Sequence, residues 1–319
     1  MIKKLIVTPT IRIVILFLLF LFFLVYSSTN KGAFQKTDQV ESNRQLKELQ
    51  ETVVALPVKV PKPKVNPVNL TIDVSAKSAM ISDLDGTIFF SKDLETRLAP
   101  ASTTKIMTAV VALEEYSLDD VVQIPYYCTT VPTQKVGFVV GEKLTVRALI
   151  TSMLVFSGAD AACALQFKES EPHIFVNKMN EKAKILNMKN SHFSNVVGYD
   201  ELDHYSSAKD MYNLAVYAIT IPEFARNVSL KEAVIVSVDG ANVHNIQNTN
   251  ELLFTHKNVL GIKTGFTDFA KDCLVFEYEL QGKRFLGIIL GSESRFEDAD
   301  KMITATNDYL TTALSSAGK

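Results

Sequence analysis

The chemistry open to this chain starts with Ser102 and Lys105, in Ala101-Ser102-Thr103-Thr104-Lys105. If the stretch opens a helix, the two side chains lie one turn apart on one face. A serine hydroxyl is a weak nucleophile until a neighbouring base takes its proton, and a neutral lysine can be that base. Residues 106–113 are apolar almost all round, with Thr108 the single interruption, which predicts a buried helix. A nucleophile at the N-terminus of such a helix has backbone N–H groups aimed at it, an arrangement suited to a developing oxyanion.

Spacing alone carries little weight. Ser-x-x-Lys also occurs at Ser28, Ser206 and Ser316, and its ordinary meaning is a helix cap and a solvated lysine. Two other places bear on it. Ser157-Gly158 falls at a break between two apolar helical stretches, where a hydroxyl could relay a proton or simply cap a turn. Lys263-Thr264-Gly265 occurs once, at the end of a strand. A lysine there can hold a carboxylate and depress a second lysine's pKa by charge repulsion. The glycine would let a ligand approach the backbone closely.

These residues need elements to position them. β-type runs at 79–83 and 87–90 flank Asp85-Gly86, a hairpin signal. The Ser102 helix is expected to end near Tyr116, followed by a strand at 121–124 and a loop at 126–137. Thr145 reads as the N-cap of an apolar helix over 146–156. A helix over 160–167 has Asp160 near its start, where negative charge is favoured. Further helices are expected over 171–187 and from Ser206 or Ser207 to Ile219, with a short helix or loop at 222–229. Residues 233–238 read as a strand, and 248–254 fit neither period. A strand at 259–264 precedes a second hairpin, 273–280 with 284–290, and an amphipathic helix over 296–314 finishes the pattern. Strands at both ends with helices between them predict an α+β fold. Its antiparallel sheet would draw on both ends of the chain and carry a helical insertion.

Composition narrows the classes. Among 319 residues, 33 basic side chains face 35 acidic ones, so nothing points to nucleic acid. The three cysteines form no Cys-x-x-Cys pair, which argues against zinc. Cys163 and Cys273 sit in apolar runs and read as small core residues; the odd count argues against a disulfide-built fold but leaves one bridge open. Lys3, Lys4 and Arg12 precede an unbroken apolar run at 13–26, with no clear small-x-small cleavage site after it. Residues 1–27 are therefore read as an uncleaved signal anchor in preference to a cleaved signal peptide, with the rest of the chain outside the membrane. Residues 28–70 form an extended, proline-containing linker, and residues 71–316 the globular domain.

Ser-x-x-Lys, Ser-x-x and Lys-Thr-Gly in this order resemble the penicillin-binding, serine-acylating superfamily. Within it the chain is most similar to the low-molecular-mass D-alanyl-D-alanine carboxypeptidases. The resemblance extends over 79–310 and includes Gly141-Glu142-Lys143-Leu144-Thr145, His192-Phe193, Gly198, His204-Tyr205-Ser206, Asp210 and Thr249-Asn250-Glu251-Leu252-Leu253. It implies a β-lactamase/transpeptidase-like fold with a five-stranded antiparallel sheet flanked by helices. It also implies roles. Ser102 becomes the acyl-enzyme, Lys105 takes its proton, and Ser157 relays a proton to the leaving D-alanine. Lys263, Thr264, Gly265, Phe266 and Arg295 bind substrate, and the N–H groups of Ser102 and Phe266 form the oxyanion hole. Peptidoglycan stem peptides are the implied substrates and β-lactams the implied inhibitors; no metal or organic cofactor is required.

The sequence departs from this pattern at Ala159, where the family usually has asparagine. That loss leaves room for a weakened or purely wall-binding homologue. A β-lactamase on the same fold is the other alternative, but no Glu-x-x-Leu-Asn segment is present to support fast deacylation. His192, His204 and Asp210 are expected to be structural hydrogen-bonding residues.

Overall fold

Two hairpins and one edge strand build the central sheet, in the order Ile88–Lys92, Ser78–Asp83, Lys283–Ser292, Lys271–Leu280 and Val259–Thr267. In the computed structural model, β1 (Ser78–Asp83) and β2 (Ile88–Lys92) form the first hairpin. The second is β8 (Lys271–Leu280) with β9 (Lys283–Ser292). β7 (Val259–Thr267) adds to β8, and every pairing is antiparallel. The structure describes residue 68, residues 70–169 and residues 171–317, with side chains to residue 313. The expected anchor at 1–27 and nearly all of the expected linker at 28–70 lie outside them. Among the described residues no helix is long and apolar enough to cross a membrane.

The central strands are apolar on both faces because both faces are covered. Met80, Val275, Leu286, Ile288 and Leu290 point into the core shared with the helical insertion. Their neighbours Ala79, Ile81, Leu274, Phe276, Tyr278 and Ile289 pack with Ala299, Met302 and Ile303 of the last helix. Gly287 is required in β9: a Cβ there would lie 2.0 Å from the Phe276 ring.

The insertion supplies the helices. A 3-10 turn (Ala101–Thr104) runs directly into α1 (Lys105–Glu115), whose residues 105–112 are all buried. β3 (Val121–Gln123) pairs with β4 (Lys143–Thr145). The loop expected at 126–137 contains a short helix, α2 (Tyr126–Thr129). Thr145 caps α3 (Val146–Val155) by accepting from Ala148 N–H at 3.2 Å, as the sequence implied. α4 (Ala159–Gln166), α5 (Pro172–Ile185), α6 (Ala208–Ala218) and α7 (Pro222–Val228) follow, with Ser207 capping α6.

β5 (Glu232–Val236) has a partner that the sequence reading lacked, β6 (Val243–Gln247). Residues 248–254 resolve into a turn leading to α8 (Leu252–Thr255), and α9 (Arg295–Ala317) covers the sheet.

The one bridge that the cysteine count left open is present: Cys163, buried in the core as expected, forms a disulfide with Cys128. The bridge joins α4 to α2, two elements whose approach is set by tertiary packing rather than by spacing. Cys273 is free and buried, as expected.

Candidate active site

The Ser102 turn is held in an uncommon backbone conformation. Ala101, just before Ser102, has φ +47°, a left-handed value that costs a non-glycine residue about 1–2 kcal/mol. Two glycines let other segments close on this turn. At Gly198 (φ +93°) a Cβ would stand 1.8 Å from Ala101 O. At Gly265 it would stand 2.9 Å from Ser102 N and 3.0 Å from Thr103 N. The Lys-Thr-Gly glycine therefore brings β7 against the backbone of Ser102 itself.

Lys105 begins α1 and is fully buried. Its Nζ lies 2.7 Å from Ser102 Oγ and donates to Val197 O at 2.9 Å. Burial pushes its pKa down to about 7, against an opposing pull from the Asp160 carboxylate. A neutral amine has two N–H donors and one lone pair. The Val197 carbonyl takes an N–H, so the lone pair is left to accept the Ser102 hydroxyl proton. The main chain thus holds Lys105 although Ala159 supplies no side-chain amide.

Lys263 lies inside β7 and is also buried. Burial first, then Lys105 and Arg295, hold its pKa well below the ordinary lysine range. Its Nζ donates to Thr264 O at 3.1 Å. Thr264 Oγ1 shares a 2.6 Å hydrogen bond with Thr249 Oγ1. Arg295 opens α9 and bonds Gly265 O at 2.9 Å and Asp272 Oδ1 at 2.8 Å through Nη1. Its Nε is buried and donates to no acceptor among the described residues. Phe266 is more than half exposed beside this cluster. β7 is the sheet's edge, paired to β8 on one side and facing the Ser102 turn on the other.

Ser157 lies between α3 and α4 with φ +66°, again left-handed. Its turn is tied to the Lys263 strand through Thr249, whose N–H donates to Val155 O at 3.2 Å and whose hydroxyl reaches Thr264. Sequence reasoning singled out Ser157, Lys263 and Thr264 but not Thr249 as the residue joining them. Thr249 stood only as part of the Thr249-Asn250-Glu251-Leu252-Leu253 stretch of the resemblance.

A second layer positions the first. Asn195 Oδ1 accepts from the N–H groups of Val197, Gly198 and Tyr199 at 2.7–3.2 Å. With those amides turned to Asn195, Val196 O accepts from Thr108 Oγ1 and Val197 O from Lys105. His204 Nδ1 accepts from Ser194 N–H at 3.1 Å, so Nε2–H donates to Thr104 Oγ1 at 2.8 Å. Burial pulls its pKa down to about 4, keeping it neutral. Asp210 accepts from Asn190 N–H and Ser191 Oγ. The expected structural roles of His204 and Asp210 match these bonds.

The sheet, the helical insertion and a Ser–Lys pair beside the edge strand define the class: penicillin-binding, serine-acylating enzymes. The family model for D-alanyl-D-alanine carboxypeptidases matches residues 62–294, and the chain belongs to that family. The chain is 31% identical over 241 residues to D-alanyl-D-alanine carboxypeptidase DacF of Bacillus subtilis, covering 73% of this chain and 61% of that protein. It is thus aligned with about three-fifths of that relative's length. A D-alanyl-D-alanine carboxypeptidase of Streptomyces sp. strain K15 is 34% identical over 239 residues, covering 68% of this chain and 82% of its own. The crystal structure of the Streptomyces K15 DD-transpeptidase superposes with a TM-score of 0.69 at 32% identity, covering 74% of this chain and 98% of that one.

Proposed function

We propose that this protein is a serine-type D-Ala-D-Ala carboxypeptidase that removes the terminal D-alanine from peptidoglycan stem peptides. The observation that carries the reading is the buried Lys105 amine, 2.7 Å from Ser102 Oγ, with its pKa pushed down to about 7. Ser102 Oγ attacks the carbonyl carbon between the two D-alanines as its proton passes to Lys105 Nζ. The oxyanion is received by the N–H groups of Ser102 and Phe266. The C–N bond breaks, Ser157 relays a proton to the departing amine, and water later frees the acyl group from Ser102. Lys263, Thr264 and Arg295 take the substrate's terminal carboxylate, an anion suited to the buried Lys263 amine, the part-buried Arg295 guanidinium and the Thr264 hydroxyl. The free edge of β7 gives an extended peptide a strand to pair with.

The inactive, wall-binding alternative rested on Ala159. The Val197 carbonyl now accounts for the hydrogen bond that Lys105 needs, so that alternative loses its motive. The β-lactamase alternative has no observation in its favour.

The same reading places the protein in the cell envelope. We propose that residues 1–27 act as an N-terminal signal anchor and leave the catalytic domain on the extracytoplasmic side. Its support is sequence alone: basic residues ahead of an unbroken apolar run. The activity is tested by D-alanine release from a stem pentapeptide, which the wild-type chain should catalyse and S102A should not. Absence of release from the folded wild-type chain would overturn the reading.

A further inference from the structure

Asp160 is more than the first-turn charge of α4. Its side chain is fully buried, and its two oxygens accept four backbone N–H groups. Oδ1 accepts from Val136 at 3.1 Å and Ala161 at 3.0 Å. Oδ2 accepts from Gly137 at 2.9 Å and Phe138 at 3.3 Å. Three of these donors belong to the loop between α2 and β4, so the carboxylate fastens that loop to the start of α4. Two other links join the same parts. Ala159 N–H donates to Gln134 O at 2.8 Å, and the Cys128–Cys163 bridge ties α2 to the middle of α4. The fastened point directly follows Ser157, whose left-handed backbone needs its surroundings to hold it. Gly158 lies in the same seam: a Cβ there would stand 2.8 Å from Val136 and 3.0 Å from Asp160 Oδ1.

The same carboxylate acts on Lys105. The charged groups around that amine are Asp160 from α4 and Lys263 from β7, with Arg295 from α9 acting on Lys263. Asp160 is the carboxylate that acts on the Lys105 amine, whereas Arg295 has its own carboxylate partner in Asp272.

We propose that Asp160 is a positioning residue for the acylation reaction: its buried carboxylate locks residues 136–138 against the Ser157 turn and supplies a negative charge that acts on the Lys105 amine. The inference rests on the Ser102–Lys105 reading above. Without the lock, Ser157 loses the conformation that aims its hydroxyl. Without the charge, Lys105 is left to burial.

The test is the D160N variant of the full chain in mild detergent, with benzylpenicillin as the acylating probe and intact mass as the readout across pH 5 to 9. Asparagine keeps the side chain's shape but turns one oxygen into an N–H donor facing donors. The wild-type chain must acylate in the same experiment, which separates failure of this inference from failure of the carboxypeptidase reading. Expected are an acylation rate at least about tenfold lower at the pH plateau and an acid-side midpoint about half a unit or more lower in pH. The sign follows from removing an anion that favours protonated Lys105. A lower plateau with an unmoved midpoint would reduce Asp160 to a structural residue and overturn the proposal. Wild-type rate and midpoint would overturn it equally. If D160N does not fold, amide hydrogen exchange on the wild-type chain decides. Gly137 and Phe138 N–H should be protected as strongly as the body of α4, and fast exchange there would contradict the lock.

Discussion

Lys105 Nζ stands 2.7 Å from Ser102 Oγ and 2.9 Å from Val197 O, inside a site that excludes water from the amine. The two contacts divide the amine's work, one fixing its orientation and the other taking the proton. Protonated Lys105 cannot serve as the base. Its pKa lies near 7, so acylation should fall as pH drops through about 7 and level off above about 8. Lys105→Arg should lose at least about 10³-fold at every pH, because a guanidinium stays protonated throughout this range. Stopped acylation time courses at several pH values measure both.

The same burial costs stability. The folded-state pKa of Lys105 is depressed from 10.5 to about 7, so between those values the unfolded chain binds more protons than the folded one. Stability contributed here therefore rises with pH from about 7 to 10.5 and is flat below. The shift corresponds to about 5 kcal/mol at neutral pH. Lys105→Met removes that cost but leaves Val197 O unpaired, which returns about 1–3 kcal/mol. The variant should be inactive yet more stable by about 2 kcal/mol, with Tm raised by several degrees and its rise with pH reduced. A calorimetric scan at two pH values checks this.

Gly198 is the point where the Asn195 turn meets the nucleophile turn. A methyl group there meets Ala101 O at 1.8 Å, and the backbone at φ +93° disfavours any side chain. Gly198→Ala should cost more than about 2 kcal/mol and lower acylation by about 10²-fold, since it displaces both Ser102 and the Val197 carbonyl. Thermal unfolding and acylation rate measured on one preparation would show both losses together.

The Cys128–Cys163 bridge closes a loop of 35 residues, for which chain entropy gives about 4 kcal/mol. Replacing both cysteines by serine should lower Tm by about 8–15 °C. Non-reducing mass spectrometry should find two hydrogens fewer in the wild-type chain than in its reduced form.

How much of this could be read beforehand depended on what carries a side-chain signature. Ser102, Lys105 and Lys263 are marked by residue type and spacing, and the hairpin around Asp85-Gly86 by a turn signal beside β-type runs. An antiparallel sheet drawing on both ends of the chain followed from the order of the strands, and its five strands were implied by the family resemblance. The Val197 carbonyl is a backbone group that any residue could supply, so nothing in the sequence marks it. The four N–H groups on Asp160 are equally anonymous; a helix-start aspartate was visible, but its partners 22–24 residues earlier were not. β6, Val-His-Asn-Ile-Gln, mixes polar and apolar residues too loosely to stand out, and it forms because β5 offers it an edge. The disulfide was hidden because Cys163 looked like a core residue, and it is one, with its partner brought in by packing.

The most direct test of the central claim is the intact mass of the full chain in mild detergent after incubation with benzylpenicillin, beside S102A. The account predicts a covalent adduct of one penicillin per wild-type chain and none on the variant. An adduct that persists on S102A, or none on the folded wild-type chain, would contradict Ser102 as the acylated nucleophile.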